Sequence, residues 1–307
     1  MRRLLASASP RVRAASSSAA LAVRPRRSAL YIPGSNARAL EKARTLAADV
    51  LILDLEDAVA PEKKTEARSQ VAEAVASGGY GGSELVVRVN SLGSQWGSDD
   101  LRAASAVGAD AILLPKVESV EAVEAARVEA GGCQIWCMIE TPIGVLRAET
   151  LASHAAVSCL VAGTSDLATD LRCDGAWEER AALIHSLSHI VLAARAHGIA
   201  ALDGVHLDLK DLPGLERSCV QGRALGFDGK TLIHPSTLEA ANRVYAPSDS
   251  QIEHARRVVS AFEQAAAAGS ALAVVDGKLV ESLHVREAER LLAMAEVIEA
   301  RARAADT

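Results

Sequence analysis

Gln134-Ile-Trp-Cys-Met-Ile139 runs directly into Glu140, and Cys159-Leu-Val-Ala-Gly163 is followed, across Thr164 and Ser165, by Asp166. Short apolar runs bounded by turn residues read as fully buried strands. A carboxylate placed where such a run stops sits at the rim of the core, and two of them on successive strands could share one divalent cation.

Working outward from this pair, apolar runs alternate with helix-like segments from Ser28 onward, the mark of repeated βα units and a parallel sheet. Eight runs can be counted: Ala29 to Pro33, Val50 to Leu55, Leu85 to Asn90, Ala111 to Pro115, Ile135 to Glu140, Leu160 to Gly163, Ile199 to Asp203 and Thr231 to His234. Apolar residues at three and four spacing predict helices over Ala37 to Ala48, Glu62 to Ala76, Asp99 to Val107, Val120 to Glu129, Val145 to Ser153, Glu178 to His197, Leu212 to Leu225 and Ser236 to Tyr245. Ser35, Ser98 and Ser236 are the expected N-caps. Gly78-Gly-Tyr-Gly-Gly82 precedes a strand and reads as a linker rather than a phosphate cradle. The fold class is therefore α/β, a (β/α)8 TIM barrel over 28–246, with a C-terminal helical extension over 247–307. Two helices are expected in that extension, Asp249 to Ala268 and Leu283 to Ala304, joined by Gly269 and the short segment Ala273 to Glu281. Such a tail is too small to fold alone and should pack on the barrel or on a neighbouring subunit.

Composition narrows the function. The chain has 307 residues, a formal charge of -6 and only eight aromatics (three Trp, three Tyr, two Phe). Nucleic-acid binding has little support in that balance. No apolar stretch approaches the ~20 residues needed to cross a bilayer. Cys133, Cys137, Cys159, Cys173 and Cys219 lack zinc-site spacing and read as reduced, packed thiols. Residues 1–27 hold seven arginines and no acid. They read equally as a disordered or targeting extension, a mitochondrial presequence or an over-extended start. A cytoplasmic location is expected, or the mitochondrial matrix if this segment is a transit peptide.

Active sites of (β/α)8 barrels lie at the C-terminal ends of the strands. This chain loads those ends with Asp54-Leu-Glu56-Asp57, Arg88-Val-Asn90, Pro115-Lys116, Glu140-Thr-Pro142, Thr164-Ser-Asp166, Asp203 and His234-Pro235. Carboxylates with one arginine and one lysine suit a hard cation and an anionic organic substrate, with Mg2+ as first choice and Mn2+ as a substitute. Zinc would want imidazole or thiolate, and His185 and His189 read as part of an ordinary amphipathic helix. Arg88 should share a face with Val86 and Asn90 and can hold a carboxylate in a bidentate fork, or instead pair with Asp54, Glu56 or Asp57. The acidic cluster Asp54 to Asp57 is too dense to ionise and bind metal in full, and some of it is expected to orient metal-bound waters.

Taken together, Ser28-Ala-Leu-Tyr-Ile-Pro-Gly34, Asp54-Leu-Glu-Asp57, Arg88-Val-Asn90, Leu113-Leu-Pro-Lys116, Ile139-Glu-Thr-Pro142, Gly163-Thr-Ser-Asp166 and Gly226-Phe-Asp-Gly-Lys-Thr-Leu-Ile-His-Pro235 resemble the citrate lyase beta subunit and malyl-CoA lyase family, among the HpcH/HpaI aldolases. The resemblance implies a Mg2+-dependent carbon-carbon lyase. Its substrate would be a 3-hydroxyacyl thioester such as malyl-CoA, citramalyl-CoA or a citryl thioester, cleaved to a 2-keto acid and an acetyl thioester. Hydrolysis of the thioester on the same scaffold, or a non-catalytic partner-binding role, are the alternatives. By the same resemblance Glu140 and Asp166 ligate the metal, Glu56 and Asp57 support its waters, Glu140 and Arg88 bind substrate, and Tyr31, Asn36 and Lys42 help hold CoA, although an arginine is common where this chain has Asn36. It also implies a homotrimer or dimer of trimers in which the C-terminal segment covers the next subunit's site. A catalytic aspartate is usual in that segment, but here Gly277-Lys-Leu-Val-Glu281 places a glutamate. The added methylene moves the carboxylate by ~1.5 Å, and a shift of about 1 Å can cost ~10²-fold in rate. Asp276 lies nearby, and Glu281 is the acid/base candidate.

Overall fold

The computed structural model describes residues 24–173, 180–270 and 272–305; residues 1–23 of the arginine-rich extension lie outside the described residues. Eight parallel strands close into a barrel: β1 (Ser28–Pro33), β2 (Val50–Asp54), β3 (Glu84–Arg88), β4 (Ala111–Leu114), β5 (Gln134–Ile139), β6 (Val157–Ala162), β7 (Ala200–Asp203) and β8 (Gly229–Leu232), with β8 pairing back onto β1. Each predicted run is a strand, in the predicted order, with ends displaced by a few residues. Alternation sorts the side chains. Val50, Ile52, Val86, Leu113, Trp136, Met138 and Val161 fill the barrel interior. Leu51, Leu53, Val87, Ile112, Cys137 and Leu160 pack outward under the helices. Because both faces are buried, the strands are apolar throughout instead of alternating with polar residues.

The helices are α1 (Ala37–Ala43), α2 (Lys64–Ser77), α3 (Gly97–Ala106), α4 (Val120–Glu129), α5 (Pro142–Leu146), α6 (Ala148–Ala152), α7 (Thr164–Asp170), α8 (Ile184–Ala196), α9 (Leu212–Leu225) and α10 (Leu238–Tyr245). Two depart from the sequence reading. The single helix expected over Val145 to Ser153 is split at Arg147 into α5 and α6. α7 was not anticipated, so Asp166 sits in the first turn of a helix instead of at a strand end, a position where a carboxylate suits the helix dipole. Glu178 and Glu179, the predicted start of α8, lie outside the described residues.

None of the three expected serine caps holds. Asn36 caps α1, its Oδ1 accepting from the Ala39 amide at 3.1 Å. Ahead of α3, Ser94 Oγ accepts from the Trp96 and Gly97 amides, so the chain turns before Ser98 is reached. His234 takes the place of Ser236, its Nδ1 accepting from the Ser236 amide at 3.2 Å. Helix ends are set by side chains one to four residues away from the best-looking candidate. All five cysteines are free, and Cys137, Cys159 and Cys219 are buried.

Contacts divide the chain into Pro25–Gln251 with the stretch from Ile298, and a second compact unit, Ile252–Val297. The second unit carries most of α11 (Asp249–Ala267), a hairpin of β9 (Ala273–Val275) and β10 (Lys278–Val280), and most of α12 (Ser282–Ala305). Its own small core is built on Ala255, Val258, Val275, Val280 and Val285. Asp276 and Gly277, with φ of 50° and 75°, form the two-residue hairpin turn that an Asp-Gly pair favours. The stretch expected only as a connection between two helices is thus a hairpin. Among the described residues no helix is long and apolar enough to cross a membrane.

Between the strands and α9, Asp203 is fully buried with Lys230 Nζ at 2.8 Å and Arg180 Nη1 at 2.6 Å. Burial alone would raise the Asp203 carboxyl, but the two cations outweigh it and hold it below the usual carboxylate range. Its stabilising contribution is therefore full above the ordinary carboxylate value and lost as pH falls through the depressed one. Asp203→Ala would strand two buried cations, and a loss of roughly 3–5 kcal/mol is expected in urea unfolding at neutral pH, together with loss of that acid-dependent step.

Candidate active site

The side chains that alternation turns inward at the C-terminal ends of the strands meet in one cavity of about 350 Å³. Tyr31 of β1, Asp54 of β2, Arg88 of β3, Met138 of β5 and Glu140 directly after it, Asp166 of α7 and Thr231 of β8 all line it. The apolar interior ends there: Met138 is the last interior side chain of its strand, and Glu140 the next position on the same face.

Arg88 organises one wall. Its fork grips Asp54, Nε to Oδ1 at 2.7 Å and Nη2 to Oδ2 at 2.6 Å. The third nitrogen, Nη1, lies 2.8 Å from Glu56 Oε2 and 3.3 Å from Asp57, and the guanidinium stacks 4.8 Å from the Tyr31 ring centre. Of the two readings left open for this arginine, pairing with the acidic cluster is the one the structure displays. Burial would lower the Arg88 value, and its hydrogen bonds to Asp54 reverse that and raise it, so this cation is permanent. Burial raises the Tyr31 phenol, with Arg88 opposing. Asn90 does not share the face of Arg88. β3 ends at Arg88, and the Asn90 amide turns to Asp100 at 2.6 Å and the Leu55 carbonyl at 2.8 Å.

Glu140 forms the opposite wall. Its Oε1 accepts the Lys116 amide at 2.8 Å. A Cβ built on Gly163 would lie 2.3 Å from Glu140 Cβ and 2.7 Å from Oε2. Gly163 thus leaves the space into which this carboxyl fits, a role the sequence signals only as a glycine closing β6. Burial pushes Glu140 up to about 7, with the Lys116 hydrogen bond opposing and Asp166 adding to the rise. Glu56 is likewise pushed to about 7, by burial first, against Arg88 and with Asp57 and Glu140 repelling it. Its Oε2 is buried, close to Arg88 but off the hydrogen-bonding direction. Asp166 Oδ2 accepts from Lys116 Nζ at 2.7 Å, a pairing the sequence did not reveal.

Five carboxyl groups (Asp54, Glu56, Asp57, Glu140, Asp166) thus gather around two cations (Arg88, Lys116). That surplus of acid, all of it oxygen ligands, fits a hard divalent cation between Glu140 and Asp166. Among the described residues no group of three or more His, Cys, Asp or Glu is arranged to hold a metal.

Other expected residues fall elsewhere. Asn36 is exposed and caps α1, and Lys42 is exposed in the last turn of that helix, so of the three residues suggested for CoA only Tyr31 lines the cavity. Asp203 and His234, both at strand ends, serve the buried ion cluster and a turn. In the other compact unit Glu281 is exposed directly before α12, its amide donating to His284 Nδ1 at 3.0 Å. Asp276 there is paired with Arg257 at 3.0 Å and His254 at 3.3 Å.

A closed (β/α)8 barrel carries its active site at the C-terminal ends of its strands, and here those ends gather carboxylates around an arginine. The family model described as HpcH/HpaI aldolase/citrate lyase matches residues 27–235, and the chain belongs to that family. It is similar to a (3S)-malyl-CoA thioesterase of Cereibacter sphaeroides, 48% identical over 276 residues covering 90% of this chain and 96% of the relative. It is also similar to the citrate lyase subunit beta of Escherichia coli, 36% identical over 287 residues covering 89% and 94%. Among solved structures, protein CitE from Mycobacterium tuberculosis in complex with magnesium, acetoacetate and coenzyme A superposes with a TM-score of 0.71 at 32% identity, covering 90% of this chain and 99% of that one.

Gly163→Ala tests the packing of this wall. The new methyl has to push Glu140 aside, and a destabilisation of about 1–3 kcal/mol is expected in chemical unfolding with the barrel's circular dichroism unchanged.

Proposed function

We propose that this protein is a Mg2+-dependent enzyme acting on a short 3-hydroxyacyl-CoA whose hydroxyl-bearing carbon also carries a carboxylate, and that it cleaves the adjoining carbon-carbon bond. The observation that carries this reading is the cavity itself: Glu140 and Asp166 on one side, Arg88 and Tyr31 on the other, above an apolar barrel interior. The magnesium, acetoacetate and coenzyme A bound by the similar CitE protein support it.

In this reading Glu140 and Asp166 hold the cation, which when bound supplies Lewis-acid stabilisation of charge on the substrate's hydroxyl and carboxylate oxygens. Arg88 presents Nη1 to the substrate carboxylate, exchanging its contacts with Glu56 and Asp57 while Asp54 keeps the fork in place. A base removes the hydroxyl proton, the carbon-carbon bond breaks to leave a 2-keto acid, and its electron pair passes to the thioester as an enolate. Protonation of that enolate gives the acetyl thioester. Glu281, supplied by a neighbouring subunit of a trimer, is the proposed group for one of these proton transfers.

Hydrolysis of the same thioester is a second reading, and the 48% identity to a malyl-CoA thioesterase supports it. Both reactions need the same grip on the hydroxy acid. They differ in the bond attacked, so the products separate them.

The deciding experiment incubates the purified protein with Mg2+ and malyl-CoA, citramalyl-CoA or citryl-CoA and identifies products by mass. Glyoxylate, pyruvate or oxaloacetate with acetyl-CoA is expected for cleavage. Free CoA with the intact hydroxy diacid or triacid would establish hydrolysis, and no metal-dependent turnover would overturn both readings. Glu140→Ala and Asp166→Ala are expected to lower kcat/KM by at least ~10²-fold. Glu281→Gln is expected to lower kcat with little change in KM, a loss of ~10² to 10⁴-fold for one general acid/base.

A further inference from the structure

Lys116 touches both members of the carboxylate pair. Its amide donates to Glu140 Oε1 at 2.8 Å, and its ammonium donates to Asp166 Oδ2 at 2.7 Å. Its φ of 48° lies in the left-handed region that non-glycine residues seldom adopt. Strained backbone of this kind persists where the surroundings over-determine it. Here that conformation directs the amide toward one carboxylate while the side chain spans to the other.

The two cations of the site differ in freedom. Arg88 is held by the Asp54 fork and is only 9% exposed, whereas the Lys116 and Asp166 side chains are 48% and 41% exposed. Lysine is a compact point charge on a flexible stem, well suited to leave one position for another in water. Its ammonium lies within hydrogen-bonding distance of an oxygen on one of the two proposed cation ligands. A divalent ion on the same small carboxylate would meet strong like-charge repulsion, and the lysine, half in solvent, is the partner that yields.

We propose that Lys116 is the internal counter-cation of Asp166, occupying that carboxylate until a divalent ion displaces it, so that this lysine sets the cation affinity of the site. The inference rests on the reading of Glu140 and Asp166 as the cation-binding pair. On that reading the lysine keeps the acidic mouth assembled before loading and weakens binding by the free energy needed to expel it. An arginine at the same position retains the competition.

The test follows free Mn2+ by electron paramagnetic resonance in titrations of the full-length protein, without substrate. Lys116→Met and Lys116→Gln are expected to bind Mn2+ about three- to fivefold more tightly than the unmodified protein, as removal of a half-exposed ion pair implies. Lys116→Arg should stay within about twofold of it, and thermal unfolding of each variant reports whether the fold is kept. Asp166→Ala is the control for the underlying reading and should abolish tight binding. Unchanged or weaker Mn2+ binding in a folded Lys116→Met or Lys116→Gln, with Asp166→Ala inactive in binding, overturns the role of Lys116 alone. Equal tightening by Lys116→Arg does the same, because the effect would then not be one of charge. If Asp166→Ala binds Mn2+ as the unmodified protein does, the metal pair itself is wrong.

Discussion

An excess of buried acid governs the mouth of this barrel. Carboxyls that cannot all be ionised at once must be protonated, paired with cations or bound to a metal. All three responses are visible or implied here. Asp54 is answered by the Arg88 fork, Asp166 by Lys116, and Glu56 and Glu140 are pushed to about 7 because their own compensation is incomplete. The permanent charge of Arg88 stops the cluster from repelling itself apart, and leaves Glu56 and Glu140 as the carboxyls with the most to gain from a further cation.

The rest of the fold makes that concentration of charge tolerable. Barrel closure fixes each strand against two neighbours, so the residue after each apolar run has little freedom to retreat. Gly163 gives Glu140 its space, and the Trp136 and Met138 layers beneath exclude water from below. A second buried cluster, Asp203 with Arg180 and Lys230, lies in the strand–helix layer instead of the cavity. There two cations answer one carboxylate, and the acid is depressed where Glu140 is raised. One residue class thus takes opposite electrostatic states according to the sign of its surroundings.

Much of this was legible in the sequence because barrel strands buried on both faces are continuous apolar runs, and the next residue on the inner face must lie at the rim. Glu140 and Arg88 follow from that rule, and Asp166 follows in place though not in context. What the sequence withheld was side-chain partnership between distant elements. Nothing in Pro115-Lys116 announces an ion pair to α7, and nothing in Asp203 distinguishes a helix-facing acid from a cavity-facing one except the parity of a four-residue strand. Split helices and caps were missed for a related reason. Pro142, Ser94 and His234 act through local backbone geometry that periodicity averages away. The hairpin at Asp276-Gly277 was readable from its dipeptide and was overlooked because its strands are only three residues each.

The cavity binds; it does not by itself choose a reaction. Uniform grip on a hydroxy acid lowers the energy of bound substrate and transition state alike and so does not accelerate one bond cleavage over another. Discrimination between carbon-carbon cleavage and thioester hydrolysis has to come from where a proton is taken or given and from whether water reaches the thioester carbon. Met138, Val205, Leu207 and Ile233 supply apolar parts of the cavity wall, beside the hydroxyl-bearing Thr164, Ser165 and Thr231. If Glu281 is the proton-transfer group, as proposed, its side chain would reach farther than an aspartate at that position. On the proposed reading the barrel sets which molecule is held, and the proton-transfer group sets which bond breaks.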